Sequence, residues 1–373
     1  MQILVALTYY RPHVSGLTLY AERQALALRD RGHEVTVMTS QYDRRLPRRE
    51  VVDGVRVERV PVLARIGKGV VMPSLGWRAT REVLRHEAVL LHLPQLDAAG
   101  LALRARLLGR PTVLVYHCDL RLPGGVHHRM AEGLVGLVHD VAARAAHHVV
   151  AYTEDFAAHS PLLRRHRRKV VTVLPPIAGV PADEARPAPA PPVIGMATRF
   201  ASEKGVAVLL EALPLVWRQV PEARVLFAGQ VEGVWGEEAL RARLLPRIAA
   251  LEAEGRWRFA GPLPPDAMPA FYRQLSVLVV PSLNSTESFG LVQIEAMLQG
   301  VPVVASDLPG VRQPVRMTGC GEVVAVGDAA ALAQAIVEQI ERPRRARQPL
   351  ADLAHRFSPG ENARSIERLM EAR

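Results

Sequence analysis

The stretch "PPIAGVPADEARPAPAPP", residues 175–192, carries seven prolines and few residues able to build a core. Proline fixes φ and removes a backbone donor, so neither a helix nor a central strand is stable here. It reads as a linker, and the chain on either side of it is written in one pattern. Upstream, "QILVAL" (2–7) is an apolar run suited to a buried parallel strand. "GLTLYAERQALALRDRG" (16–32) has helical apolar spacing and closes on Gly32, and "HEVTVMTS" (33–40) completes a βαβ unit. Further strands are expected within 88–93, 112–117, 147–153 and 169–174. Downstream the pattern restarts with "VIGMAT" (193–198) and a helix opening near 205, followed by "RVLFAG" (224–229) and "WRFAG" (257–261). Strands "VLVVPS" (277–282) and "PVVAS" (302–306) alternate with helices near 266–274 and 290–299. The pattern predicts an α/β chain of two Rossmann-like, doubly wound domains, 1–174 and 193–353, with a helical segment at 354–373. Ligands of such folds sit at the carboxyl ends of strands and between domains, so a central cleft is the expected site.

Composition narrows the class. At 373 residues, 49% hydrophobic and 23% charged, the chain suits two soluble globular domains rather than disorder. "MQILVALTYY" has a short apolar run with no basic start, which reads as a first strand and not a signal peptide. No stretch approaches the roughly 20 apolar residues of a membrane span. Cys118 and Cys320 stand alone, which argues against a zinc site or disulfide framework and favours a reducing cytosol. The net charge of +10 comes almost wholly from arginine, 44 of 47 basic residues, as a GC-rich coding bias would also produce. The densest run, Arg164, Arg165, His166, Arg167, Arg168 and Lys169, reads as a solvated loop, a patch for an anionic membrane surface, or a nucleic-acid contact. No aromatic residue interleaves it, so no nucleic-acid partner is expected.

Two segments carry chemistry. "PSLNSTESFGLVQIEAMLQGVPVVASDLPG" (281–310) leaves a strand at Pro281, places Glu287 in a polar loop and opens a helix near Gly290. The amides at that helix start have no intrahelical partner and form an anion site, while Glu295 follows in an apolar helix where a carboxylate needs hydrogen bonds. "MATRFASEKG" (196–205) holds Arg199 and Lys204, the latter one of only three lysines. A compact ammonium kept beside a turn glycine, where the chain elsewhere writes arginine, marks a position whose geometry matters. The double histidines 127–128 and 147–148 lack metal-ligand context and read as structural.

With Glu287 and Glu295 spaced Glu-x7-Glu, Arg199 and Lys204 upstream, and Gly300-Val-Pro-Val-Val-Ala-Ser following, the chain resembles the family 4 retaining glycosyltransferases of GT-B fold, the glycosyl transferases group 1. The resemblance spans nearly the whole chain and includes Gly16 and His117. It implies that Arg199 and Lys204 hold the diphosphate of a UDP- or GDP-sugar, that Glu295 binds the ribose hydroxyls, and that Glu287 with the amides of Phe289, Gly290 and Leu291 holds the sugar. Gly16 would let backbone approach the diphosphate from the other domain, and His117 would face sugar and acceptor. The base would lie near "GPLPPDAM" (261–268), at Leu263, and Asp119 is an acceptor-side candidate. The acceptor would be a carbohydrate or a lipid-linked hydroxyl, and transfer would follow a front-face, oxocarbenium-like path with retention. No metal and no cofactor are expected, since the two cations would serve the diphosphate. Two departures stand out: Ser15-Gly16 replaces a glycine pair, and Pro176-Ile177 replaces the usual Asn-Gly of the junction. The implied enzyme is cytoplasmic, peripheral at the membrane if Arg164–Lys169 binds lipid. A nucleotide-sugar epimerase on the same scaffold and a non-enzymatic basic binding module are the alternative classes.

Overall fold

The apolar run at the amino terminus becomes the middle of a sheet, as a strand buried on both faces must. In the computed structural model, which describes residues 1–66, 69–120, 126–182 and 189–372, the chain divides into two units. The first comprises Met1–Ala178 and Arg356–Arg373. Its strands begin with β1 (Gln2–Ala6), β2 (Glu34–Gln41), β3 (Arg49–Val52), β4 (Val55–Pro61), β5 (Ala64–Ile66) and β6 (Gly69–Val71). They continue with β7 (Ala88–Leu93), β8 (Thr112–Tyr116), β9 (His148–Ala151) and β10 (Val170–Thr172). The helices between them are α1 (Gly16–Asp30), α2 (Leu75–Arg85), α3 (Ala98–Leu107), α4 (Val126–Ala145), α5 (Glu154–His159) and α6 (Pro161–Arg165). The main sheet runs β10-β9-β8-β7-β1-β2-β4-β3 and is parallel except for β3; β5 and β6 pair with each other.

The second unit, Gly179–His355, repeats the plan. Its sheet uses β11 (Val193–Ala197), β12 (Arg224–Ala228), β13 (Trp257–Gly261), β14 (Val277–Val280), β15 (Val303–Ser306) and β16 (Gly321–Val324). The helices are α7 (Val206–Gln219), α8 (Glu238–Ala253), α9 (Met268–Tyr272), α10 (Leu291–Leu298), α11 (Gln313–Thr318), α12 (Ala329–Glu341) and α13 (Leu350–Arg356). The order β13-β12-β11-β14-β15-β16, all parallel, reverses direction between β11 and β14. In unit one the same reversal lies between β1 and β7. These are the switch points of doubly wound sheets.

The boundary falls between Ala178 and Gly179, inside the proline stretch, whose residues 183–188 lie outside the described ones. The flanks of the stretch are tied down. Ile177 is buried and its amide donates to Phe357 O at 2.8 Å, while Ala182 N donates to Leu298 O at 2.9 Å. The final helix, α14 (Pro359–Glu371), packs on α1 in unit one. Asn362 is its anchor: Gln24 Nε2 donates to its Oδ1 at 2.7 Å, and its Nδ2 donates to Tyr20 Oη at 3.1 Å and Leu174 O at 2.8 Å.

The hairpin β3–β4 was not among the strands expected. Its turn, Asp53-Gly54, has positive φ at both residues (48° and 77°), the two-residue turn that suits strand twist. "VVDGVRV" (51–57) carried that signal in plain sight.

The structure also corrects the basic run, because Lys169 does not belong to a surface patch. Its ammonium donates to the carbonyls of Ala143, Arg144 and Ala146 at 3.3, 2.6 and 2.8 Å, closing the carboxyl end of α4. Burial there pulls its pKa below the ordinary value. A cation on those terminal carbonyls meets both their lone pairs and the helix dipole. Lys169→Ala should therefore cost about 1–2 kcal/mol of stability. Arg168→Ala, one exposed residue away, should stay within about 0.5 kcal/mol. Urea denaturation of both variants checks this, and equal losses would remove the capping role.

Candidate active site

The loops leaving β11 and β14, the two strands at the switch point of unit two, carry most of the residues singled out from sequence. Phe200 is fully buried beside Phe227, and the amides of Thr198 and Phe200 donate to Ala228 O and Gln230 O at 2.9 and 2.8 Å. That pins the loop and leaves Arg199 at its edge, with Nη2 3.1 Å from Glu203 Oε1. A 3-10 turn, Ser202–Lys204, follows. Glu237 accepts from Ser202 N at 3.0 Å and from its Oγ at 3.2 Å, and burial raises its carboxyl above the ordinary value.

Gly205 closes that turn at φ +74° and opens α7. A Cβ at this position would lie 1.9 Å from Pro281 O, so the turn presses on the backbone leaving β14 as only glycine allows. Leu283 N donates to Glu203 O at 2.9 Å and stitches the two loops together. The stitch sets the key contact of the site: Lys204 Nζ donates to Glu287 Oε2 at 2.6 Å, with side chains only 14% and 23% exposed. The two residues read from separate segments form one ion pair.

The second loop is built around Asn284, whose Oδ1 accepts from Thr286 N at 3.1 Å and Thr286 Oγ1 at 2.6 Å. Phe289 is buried, Gly290 sits at φ +77°, and α10 begins at Leu291. Gln293, fully buried, donates through Nε2 to Phe289 O at 2.6 Å and Val311 O at 2.8 Å. It therefore fixes the turn that aims the amides of Gly290 and Leu291. Glu295 is half-buried, and Tyr272 Oη donates to its Oε2 at 2.8 Å. Leu263 lies half-buried just past the carboxyl end of β13.

Gly16 and His117 belong to unit one. Gly16 is the exposed first residue of α1, and a Cβ there would meet nothing within 4 Å. The local fold does not demand glycine at this position. Ser15 is the N-cap of α1: its Oγ accepts from Thr18 N at 3.2 Å. His117 follows β8 and is buried, with Nε2 2.9 Å from His92 Nδ1 and Nδ1 against Tyr152 Oη. Tyr20 stands edge-on to it at 4.9 Å. Asp119 Oδ1 accepts from Tyr116 Oη at 3.0 Å and Ser160 Oγ at 2.7 Å. His147 Nδ1 accepts from Thr112 N at 3.0 Å, a structural role, whereas His127 and His128 lie outside the residues whose side chains are described. Among the described residues no group of three His, Cys, Asp or Glu side chains is placed to hold a metal. His92, Tyr152, Gln293 and Tyr272 were missed from sequence. The readable signal was His92, a polar residue near the carboxyl end of the otherwise apolar run "AVLLHL".

Comparison with known proteins gives the family and the fold. Residues 183–360 match the model described as "Glycosyl transferases group 1", and residues 15–176 match "Glycosyl transferase 4-like domain". The 2-deoxystreptamine N-acetyl-D-glucosaminyltransferase of Streptomyces fradiae is 32% identical, covering 96% of this chain and 90% of its own. The phosphatidyl-myo-inositol mannosyltransferase of Mycobacterium leprae is 28% identical over 86% and 83%. Among solved structures, Anabaena Alr3699/HepE in complex with UDP and glucose has a TM-score of 0.74 at 19% identity, each chain fully covered. Sucrose-phosphate synthase from Thermosynechococcus elongatus has 0.70 at 23%, covering 100% and 94%. At these identities the two structures share the fold alone with this chain.

The buried histidines of unit one set a pH dependence. Burial holds His92 at about 3 and His139 at about 4, and pushes His117 well below the ordinary 6.5 to which all return on unfolding. As pH falls below about 6.5 the unfolded chain takes up protons that the folded one refuses, so stability drops toward pH 4. Each histidine adds a slope of up to about 1.4 kcal/mol per pH unit in that window. Urea midpoints should fall from pH 7.5 to pH 5, and His92→Asn should flatten the slope. Midpoints that do not move with pH would overturn the assignment of three neutral imidazoles.

Proposed function

The chain belongs to the glycosyl transferases group 1 family, and on that premise we propose that it moves a sugar from a UDP- or GDP-sugar to an acceptor hydroxyl with retention of configuration. The observation that carries this is the Lys204–Glu287 pair, held by two stitched loops at the switch point with Arg199 alongside. Relatives named for N-acetyl-D-glucosaminyl and mannosyl transfer, and a neighbour solved with UDP and glucose, support a nucleotide-sugar donor.

In this reading Lys204 turns its remaining ammonium protons to the diphosphate while Glu287 holds the ammonium in place and takes a sugar hydroxyl. Arg199, steadied by Glu203, brings a planar fork to the same diphosphate. As the glycosidic bond breaks, charge grows on the departing phosphate oxygen, and cations already in position stabilise it without reorganising. Glu295, oriented by Tyr272, takes the ribose hydroxyls, and the amides of Phe289, Gly290 and Leu291 serve the sugar. The base rests by Leu263. Gly16 gives the diphosphate open backbone, and His117, held neutral, faces the acceptor. The acceptor is a carbohydrate or lipid-linked hydroxyl, and the enzyme works in the cytoplasm, held reversibly to an anionic membrane face by arginines 164, 165, 167 and 168.

If Lys204 serves the departing diphosphate, size and shape at that position control turnover. Lys204→Arg should lose at least about tenfold in kcat/KM, roughly 1.4 kcal/mol of barrier. Lys204→Ala should lose about 100-fold or more, as removal of an oxyanion donor does. Melting temperatures of the three proteins separate this from damage to the pair's structural role, and near-wild-type turnover in Lys204→Ala would remove the residue from the site.

Because the cations meet the diphosphate directly, activity should also survive excess EDTA. Complete loss restored by magnesium or manganese would sink the metal-free mechanism.

A further inference from the structure

Helix α4 leaves an apolar face in solvent. Met130, Leu134 and Leu137 are 69%, 60% and 60% exposed, and their spacing puts them on one stripe over two turns. Three large exposed apolar side chains in line are more than the scattered singles a soluble surface carries. The only carboxylate in this part of the helix, Glu132, falls on the far side of the 3.6-residue repeat.

Following the stripe toward the carboxyl end, the chemistry changes from apolar to cationic. Arg144 lies on the same face two turns beyond Leu137, and its side chain is 69% exposed. Buried Asp140 accepts from Arg144 at 2.9 Å and from Arg165 at 3.0 Å, which fastens the arginine run to the end of the helix. Arg164, Arg167 and Arg168 are exposed beside it. Three of these arginines (164, 165 and 167) line a cavity of about 740 Å³ whose wall includes Ala157, Leu163 and Val170. The arrangement is an apolar stripe ending in a cluster of guanidinium groups. An acidic protein would complement the cluster and leave the stripe wet. An anionic bilayer complements both, acyl chains against the stripe and phosphates against the arginines.

We propose that α4 is the element that enters the membrane surface: Met130, Leu134 and Leu137 insert at the acyl-chain boundary of an anionic bilayer while the arginines at its carboxyl end hold headgroup phosphates. This rests on the membrane contact put forward above and names the part that inserts. Attraction by the arginines brings the protein to the surface, and the stripe keeps it there.

The test uses the full chain with vesicles of phosphatidylcholine alone or with phosphatidylglycerol. Wild type should cosediment with the anionic vesicles and not with neutral ones. L134S/L137S and R164S/R167S/R168S should each weaken the partition at least about tenfold. In a separate variant, L134W, tryptophan emission should shift to the blue on anionic vesicles and be quenched by brominated acyl chains. Binding unchanged in L134S/L137S but lost in the arginine variant would overturn insertion while leaving electrostatic contact standing. Binding unchanged in both, or absent in wild type, would overturn the membrane contact itself. A wild-type dimer that L134S/L137S dissolves, without vesicle binding, would assign the stripe to a second copy of the chain. None of these substitutions touches the Lys204–Glu287 loops, so donor-dependent activity in detergent-free solution reads the glycosyltransferase assignment separately.

Discussion

Much of unit two is arranged around the close approach of Gly205 to the carbonyl of Pro281. A parallel sheet delivers its strand ends side by side at a switch point, but nothing in strand pairing fixes how the following loops meet. Here they meet backbone to backbone, at a separation no side chain on residue 205 could share. That contact fixes the 3-10 turn, the turn fixes Lys204, and Lys204 takes hold of Glu287 in the other loop. A lysine suits the position because a compact ammonium reaches the Glu287 carboxylate from one point beside that backbone contact, where a planar fork needs more room.

The same device recurs on the other side of the loop. Gly229 at φ +141° would place a Cβ 1.8 Å from Thr198 O, so the strand end of β12 also leans on the loop that carries Arg199. The cationic loop is thus gripped from both sides, by residues following β12 and by those following β14. Its precision comes from backbone packing, and the charged side chains inherit it.

Much of this could be read from the amino-acid order. Buried parallel strands announce themselves as apolar runs, and the two-unit plan followed from the proline stretch between two such series. The residues of the switch-point loops were legible because charged side chains beside strand ends and glycines have few structural reasons to be there. What stayed hidden depended on contacts between distant positions. Lys169 looked like one more surface cation until the fold set it on the end of α4, and Lys204 and Glu287 gave no sign of being partners. His92 was absorbed into an apolar strand because a neutral, buried imidazole behaves as part of the core. Gln293 and Tyr272 act only through the groups they orient, and such positioning leaves little trace in local pattern.

The place of α14 has a consequence for the order in which the protein is made. The ribosome releases residues 1–178 long before Asn362, yet Tyr20, Gln24 and Leu174 O all find a hydrogen-bond partner in that asparagine. Until residues 359–371 have been made, the flank of α1 on which they pack has no cover. Completion of the first unit therefore waits on the last, and a nascent chain carries an open apolar seam for the whole length of the second unit's translation. Removal of the residues after 355 would take away α14 and leave that seam exposed.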